Sequence, residues 1–464
     1  MSSPISDPAP AEVTLRPRSP FTVASPFFAL AVLFSMNLLN YIDRYVFFSA
    51  GTKIQRELGF SDPQFATLSV AFMVVYTIVS PLVGWLGDRY NRKVLLAFGV
   101  GLWSVATVGT SFARGFNDMF FWRALLGVGE ASYGIIALTL LADLFSTKNR
   151  GRVIGLYFLA LPLGGAIGYL IGGHYAEHGD WRHAFLVVGL PGLAAAVAGL
   201  LMHDPGRGPR AHRPGLSEYL SILKTKSFLF NTAGQASVTF AIGAYAVWGA
   251  IFYHRVRGMA PAAAGLKIGI LSASAGIFGV LLGTLAAEVL RKFTSRAYLV
   301  WPFLAVATAV PCGTLALLET DVNRSLAFLF VASMLMASVL GPSNAVTVNV
   351  VPANRRAAGV AICVFLVHLF GDISSPVLIG VVSDYCGRPE VIDSPAGRLF
   401  ASVGARPDVA DGITTNLTVG MLAVVPMLVL GCVFFLLGSK HLPRDQERAR
   451  ALSGGDDPGA VFAH

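Results

Sequence analysis

Between two long apolar runs the chain reads Gly84-Trp85-Leu86-Gly87-Asp88-Arg89-Tyr90-Asn91-Arg92-Lys93. The run before it covers 63–86 and the run after it 92–113. Each has about the 20 residues that an α-helix needs to cross a bilayer. The turn between them carries Asp88, Arg89, Arg92 and Lys93 and is net basic. Two apolar helices joined by a short basic turn make a membrane hairpin. Its turn lies on the side that collects Lys and Arg.

The rest of the chain repeats this pattern. Of 464 residues, 54% are hydrophobic and only 13% charged, against about 25% charged in a soluble domain. The mean hydropathy is +0.64. This excludes a disordered or fibrous chain and argues against a soluble enzyme. The apolar runs are continuous, not alternating with period two, which excludes an outer-membrane barrel. Twelve spans are predicted: 24–50, 63–86, 92–113, 118–146, 151–176, 182–203, 229–254, 262–290, 297–318, 325–350, 356–384 and 414–438.

Residues 1–22 are Pro- and Ser-rich, lack a cleavage pattern, and read as a disordered cytoplasmic tail. Two six-helix bundles, 23–203 and 229–438, flank a linker at 204–228. Within that linker 216–227 reads as a short amphipathic surface helix, and 439–464 as a second cytoplasmic tail. With both termini inside, the cytoplasmic segments hold 22 of the 35 basic residues and the other face 11. The net charge of +9 is therefore a topology signal, and no nucleic-acid partner is expected. Cys312, Cys363, Cys386 and Cys432 show no metal or disulfide spacing. No metal, no cofactor and no catalytic constellation are expected. A G-x-x-x-x-G-K-[ST] loop for ATP is missing from the sequence.

The halves echo each other. Asn149-Arg-Gly-Arg-Val-Ile-Gly155 opens the fifth span, and Asn354-Arg-Arg-Ala-Ala-Gly359 the eleventh. Gly84-Trp-Leu-Gly-Asp-Arg follows the second span, and Gly283-Thr-Leu-Ala-Ala-Glu ends the eighth. Secondary transporters are often built from such repeats, with the substrate site at the midplane between them.

The Gly84–Lys93 turn resembles the G-x-L-x-D-R-x-G-R-K loop of the major facilitator superfamily. Asn91 stands where that pattern has Gly; Asn tolerates the left-handed turn next best. The resemblance implies a cytoplasmic gate. Asp88 would face the start of the eleventh span near Asn354–Gly359, with Arg89, Arg92, Lys93, Arg150 and Arg152 completing a charge cluster that latches the halves. Arg123-Ala-Leu-Leu-Gly127-Val-Gly129 resembles the superfamily's fourth-helix motif, R-x-x-x-G-x-G. In the fifth span Leu161-Pro162-Leu-Gly164-Gly165, then Gly168, Gly172 and Gly173, allow close helix approach.

In the first half four ionisable groups stand out inside apolar runs: Asp43 and Arg44 in the first span, Arg123 and Glu130 in the fourth. Each costs at least about 2.5–3.5 kcal/mol at a bilayer centre. Arg123 and Glu130, seven residues apart, share a helix face roughly 10 Å apart along the axis. Ionised, the four sum to zero; protonating one acid leaves +1. That is a proton switch, with Asp43 the preferred acceptor and Glu130 the alternative, which spacing leaves open. The competing reading is a permanent ion pair that fixes packing.

Asn40-Tyr41-Ile-Asp43-Arg44-Tyr45, with Gly127-Val-Gly129-Glu130-Ala131-Ser132-Tyr133, resembles the Spinster branch of the superfamily. Ala142-Asp143-Leu-Phe145 and Phe158-Leu-Ala-Leu-Pro162-Leu-Gly164 agree with it. The resemblance implies a multi-pass cell-membrane transporter with the superfamily's all-α twelve-helix fold. It further implies alternating access, proton coupling, and a lysophospholipid- or sphingolipid-like substrate. Asp43 and Glu130 would couple protons, and Arg44 and Arg123 would meet the headgroup. A multidrug/proton exporter and, further off, a membrane enzyme are the rival readings. We expect a monomer whose partners are the amphipathic substrate, protons and membrane lipids.

Polar and aromatic positions of the other spans supply cavity candidates: Asn37, Asn40, Tyr41, Tyr133, Asn231, Gln235, Tyr245, Trp248, Asn344 and Phe365. His368 and Asp372, at i, i+4 in the eleventh span, are either a second titrating site or a satisfied pair. The stretch from Tyr385 to Thr414 reads as a flexible outer lid or as disorder.

Overall fold

The structure is a computed structural model that describes residues 23, 25–87, 90–145, 147–178, 180–204, 222–352, 355–410 and 413–452. Twelve spans follow one another. The first half holds Pro26–Ser49, Asp62–Gly87, Arg92–Thr110, Phe116–Leu144, Thr147–Phe158 continued by Ala160–Glu177, and Trp181–Leu200. The second half holds Lys226–Arg255, Pro261–Arg291, Ala297–Leu318 and Val322–Ala337 continued by Leu340–Asn349. It ends with Arg356–Phe370 continued by Ser374–Cys386, and Leu417–Leu422 continued by Val424–Leu452. Eleven of these stretches are apolar and long enough to cross a membrane. The fourth span, 29 residues with Arg123 and Glu130 inside it, completes the twelve.

Local sequence sets the boundaries. Ser25 caps the first span, its side chain accepting from the Phe28 amide, and Pro26 sits at the first helical position where no amide is required. Asp321 caps the tenth span in the same way. Asn91 departs from expectation. It is not left-handed but extended (φ −66°, ψ 120°), and its side chain accepts from the Lys93 amide. The residue that replaces Gly acts as the helix cap of the third span.

Each half packs around its own helices. The first span lies on the fifth, the third on the fourth and sixth, the seventh on the twelfth, and the ninth on the tenth and twelfth. Across the seam the fifth span meets the eighth, the second meets the eleventh, and the first meets the seventh. A six-plus-six repeat relates second to eighth and fifth to eleventh, so the first two pairings are equivalent. The core runs through the seam: Phe47, Phe65 and Trp181 of the first half and Trp248, Ile251 and Phe252 of the second belong to one buried cluster.

Three segments differ from the sequence reading. Residues 226–227, assigned to the linker helix, already belong to the seventh span, which Thr225 precedes; Ile222 and Leu223 are helical, and 205–221, with the start of that helix, lie outside the described residues. The last helix does not stop near 438 but continues to Leu452. The connection after the eleventh span is folded. It contains the short helices Pro389–Ile392 and Pro395–Ser402 and the antiparallel pair β1 (Asp408–Ala410) and β2 (Ile413–Thr415). A small apolar cluster of Cys386, Ala405 and Val419 anchors it.

Candidate functional site

The fourth span brings its two charges toward the first and second spans. Gly127 lies between them, and a Cβ there would sit 2.2 Å from the Phe72 carbonyl oxygen. Glycine thus lets the second span approach until the Phe72 ring lies between two guanidiniums. The Arg44 carbon stands 4.8 Å from the ring centroid and the Arg123 carbon 4.9 Å. Arg123 also lies over Phe47 at 4.2 Å, and Arg44 over Tyr41 at 5.4 Å. Stacking on ring faces keeps two arginines in an apolar layer, each desolvated contact contributing about 2 kcal/mol.

The pairing within the group is uneven. Arg44 Nη2 donates to Glu130 Oε2 at 2.5 Å. Arg123 is fully buried; its Nε makes a long 3.4 Å bond to the Leu68 carbonyl, and Nη1 and Nη2 have no hydrogen-bond partner. Asp43 is also buried, with neither carboxylate oxygen in hydrogen-bond geometry. The charges it faces are first Arg123, then Glu130 and Arg44. The Thr107 hydroxyl beside it donates to the Trp103 carbonyl. One pair is closed and the other faces across without a hydrogen bond. Buried polar groups are seldom left so, and sites that exchange a proton or ligand are where such exceptions collect.

The second half contributes through a broken helix. The eleventh span is interrupted between Phe370 and Ser374. Asp372 lies in the break, packed so closely on Gly243 of the seventh span that a Cβ there would fall 2.7 Å from the Asp372 Cα. His368 Nδ1 lies 2.9 Å from Asp372 Oδ1 and 3.0 Å from Oδ2. A cavity of about 110 Å³ between the halves is lined by Tyr41, Arg44, Tyr45, Phe72 and Met73 on one side and by Ile242, Gly243, Val247 and Asp372 on the other. Broken helices at mid-depth are where transporters of this build place substrate and ion sites.

The remaining cavity candidates scatter. Asn37 donates to the Tyr157 carbonyl; Tyr133 donates to the Leu33 carbonyl and accepts from the Tyr157 hydroxyl. Asn40 is buried. Asn231 and Gln235 bond Ser343, Thr347 and Cys363 within the second half. The bonds of Asn37, Tyr133, Asn231 and Gln235 join helices, and none of the five lines the central cavity. Trp248 is wholly buried, its indole donating to the Pro376 carbonyl against Phe65. The Tyr245 hydroxyl points at Gly313 of the ninth span. Trp248 packs the seam and Tyr245 packs within the second half, and neither lines the central cavity. Asn344 and Phe365 are exposed and do not line the cavity.

Of the gate motif, Asp88 and Arg89 lie outside the described residues. Gly84 lies in the last turn of the second span, which ends at Gly87, and Arg150 and Arg152 fall in Thr147–Phe158, their side chains outside the description. Lys93 takes the Asn91 cap on its amide. Arg92 has described partners. Its Nη1 donates to Asp143 at 2.6 Å and its Nη2 to Asp204 at 2.8 Å, both in the first half. These bonds of Arg92 tie the third, fourth and sixth spans together, not one half to the other.

At the end remote from the termini the seam is closed, through residues the sequence reading passed over. Arg255, at the end of the seventh span, donates to Asp62 at 2.8 Å and to Asp408 in β1 at 2.6 Å. Gln55 and Ser383 also donate to Asp62, at 2.8 and 2.9 Å, and the Leu417 amide to Asp408 at 2.8 Å. All three charged side chains are about 95% buried. Outside the spans, Glu57 accepts from the Trp181 indole at 2.8 Å and from Arg182. Burial pushes its carboxyl up, but these hydrogen bonds together outweigh that and hold it below the usual carboxylate range. Asp62 and Asp408 carried no spacing signal; only their position, one beside Pro63 and one in a polar loop, set them apart.

Residues 33–390 match the family model of the Major Facilitator Superfamily. Protein spinster homolog 3 of Danio rerio is 31% identical, over 93% of this chain and 88% of its own. The sphingosine-1-phosphate transporter SPNS2 of Mus musculus is 30% identical, over 90% and 78%. Among solved structures, a bacterial homologue of the human lysosomal transporter Spinster, in an inward-facing and occupied conformation, superposes with a TM-score of 0.76 at 22% identity. That match covers 91% of this chain and 99% of that one.

Proposed function

The chain belongs to the Spinster family of the major facilitator superfamily, and from that premise we propose that it carries a lipid-like amphiphile across a membrane by proton-coupled alternating access. The observation that carries this reading is the half-closed charge group: Arg44 bound to Glu130, and Arg123 facing Asp43 without a bond. With Asp43 ionised, Arg123 is held by its charge. A proton on Asp43 removes that hold and leaves two guanidinium nitrogens for an anionic headgroup, which a planar guanidinium binds in two-pronged fashion. Arg44 borders the central cavity together with Asp372 of the other half. A rocking motion that draws Arg44 from Glu130 toward Asp372 would link headgroup position to protonation. Aromatic and apolar walls at Tyr41, Phe72 and Met73 suit the start of an acyl chain.

Both termini are taken to be cytoplasmic, as the distribution of Lys and Arg supports. The closed Arg255 end is then the outer one, and we read the structure as a state closed to the outside. The protein acts as a monomer in the cell membrane.

The test is proton movement in liposomes loaded with a pH dye. An inward proton gradient is imposed, and a lysophospholipid, sphingosine-1-phosphate or a cationic drug is added in turn. Lipid-dependent proton flux that is lost in Asp43→Asn, while lipid counterflow persists, is the expected result. Counterflow without proton flux for any of the three makes the protein a facilitator and overturns the coupling. Flux only with the drug moves it to the multidrug class.

A further inference from the structure

The central cavity has two unlike ends. At one, Arg44 stands over Tyr41 and Phe72, so both rings already carry a guanidinium. At the other, Asp372 of the second half faces Tyr45 of the first, with Phe48 against that ring. The Tyr45 and Phe48 rings meet edge to face, 5.7 Å between centroids. No cation lies over either of them among the described residues. Cationic and acidic ends come from opposite halves, so a ligand that spans the cavity touches both.

An acid inside a membrane span is costly and calls for a partner. Asp372 has one hydrogen-bond partner among the described residues, His368, whose Nδ1 reaches both carboxylate oxygens. A neutral imidazole donates a single N–H there and leaves the carboxylate its charge and lone pairs to spare. The helix that begins at Ser374 takes no side-chain cap, so Asp372 is not held there as a helix cap. Arg44, the cation across the cavity, is bound to Glu130 instead. The seventh and second spans line the rest of the cavity with Ile242, Gly243, Val247, Ser69, Val70 and Met73, and none of these carries a charge. The Asp372 side chain is 19% exposed, so its oxygens can be reached.

We propose that Asp372, with the Tyr45 and Phe48 rings, holds the ammonium of the transported headgroup and so selects zwitterionic over purely anionic amphiphiles. The carboxylate supplies the counter-charge, and aromatic rings attract a primary or quaternary ammonium. An anionic amphiphile without an amine would leave Asp372 facing it uncompensated, and such an unpaired charge is how a site rejects a near-match. The cavity of about 110 Å³ is about a third of the 300 Å³ that a drug-sized ligand fills. It therefore takes the end of a headgroup and leaves the chain outside. That the phosphate of the same headgroup lies toward Arg44 rests on the proposed lipid transport; the ammonium subsite itself does not.

The experiment keeps the two apart. Binding to the full-length protein in maltoside detergent is measured by isothermal titration calorimetry. The probes are lysophosphatidylcholine, lysophosphatidic acid of the same chain, and dodecyltrimethylammonium, which has no phosphate. Wild type is expected to bind lysophosphatidylcholine about tenfold more tightly than lysophosphatidic acid. Asp372→Asn is expected to lose that preference and the binding of dodecyltrimethylammonium, while lysophosphatidic acid binds as before or better. His368→Gln removes the hydrogen bond but not the charge, and is expected to keep the preference. Equal affinity of wild type for the two lipids, or a preference that survives Asp372→Asn, overturns the subsite. Asp372→Asn and His368→Gln losing all three probes alike would make the pair a brace for the helix break and also overturns it. Dodecyltrimethylammonium that binds through Asp372 when neither lipid binds supports the subsite and sinks the lipid reading alone. No binding of either ammonium probe to wild type overturns the subsite.

Discussion

Arg255 and Asp62 meet across the seam between the halves in a two-pronged contact, Nη1 to Oδ1 at 2.8 Å and Nη2 to Oδ2 at 3.3 Å. They lie 193 positions apart in the chain. Asp408 takes the remaining edge of the guanidinium through Nε at 2.9 Å. Two carboxylates around one arginine are stable in burial only while the arginine stays. Removing one partner of a buried pair costs about 3–5 kcal/mol. Arg255→Gln is therefore expected to part the remote ends of the second and eleventh spans. Spin labels at Gln64→Cys and Arg388→Cys, read by double electron–electron resonance, should show a longer and broader distance distribution than in the parent. An unchanged distribution accompanied by a lower melting temperature would make the network packing, not a gate.

Arg44 and Glu130 form the same kind of contact within the first half, 2.5 Å long with Glu130 almost wholly buried. Glu130→Gln and Arg44→Gln are each expected to destabilise the protein by about 3–5 kcal/mol. The double variant should recover part of that loss, because no charge is then left without its partner. Melting in detergent, followed by tryptophan fluorescence, gives the cycle. Additive losses would mean that Arg44 and Glu130 are held by other neighbours, such as Phe72 and Tyr41, and that their pairing is incidental.

Much of this architecture is legible in the chain because a bilayer leaves few options. Backbone groups must be satisfied within each segment, so hydropathy fixes the spans to within a few residues. Charges inside them stand out against a lipid background, which is why Asp43, Arg44, Arg123 and Glu130 are found by reading alone. Their partners are not. Which guanidinium meets which carboxylate depends on helix rotation and on the approach that Gly127 permits. The network at the remote end is hidden for a different reason. Asp62, Arg255 and Asp408 sit at span ends and in a connection, where charges are ordinary, and only the fold makes them buried. Trp248 and Tyr245 show the opposite limit: amphipathic aromatic side chains suit a cavity wall and a packed interior equally well.

Glu57 gives the remote end a pH dependence. Its carboxyl titrates below the ordinary value because Trp181 and Arg182 bind the charged form. A group whose folded value is depressed adds stability above its unfolded value, near 4.3, and loses it as pH falls through the folded value. The contacts are partly exposed, so the effect is small and screened by salt. Acidification below about pH 4 should shift the fluorescence of the Trp181 indole before the chain as a whole unfolds, and Glu57→Gln should show the shifted spectrum already at pH 7. A Trp181 signal that follows global melting at every pH would remove any local role for Glu57.

Gly127 offers the sharpest test of how the charge group is built. A methyl group there meets the Phe72 carbonyl at 2.2 Å, backbone against backbone, with no flexible side chain to yield. Gly127→Ala is expected to push the second span from the fourth and draw Phe72 from between Arg44 and Arg123, at a cost of about 1–3 kcal/mol for overpacking. Gly155→Ala is the matched control, since nothing lies within 4 Å of a Cβ at that helical position. Alanine there should be neutral or stabilising by about 0.5–1 kcal/mol. The two melting temperatures should therefore move in opposite directions, and lipid counterflow should fall in Gly127→Ala alone. If Gly127→Ala melts like its parent, the spans are further apart than described, and the sandwich of Phe72 between two arginines does not hold the charges in place.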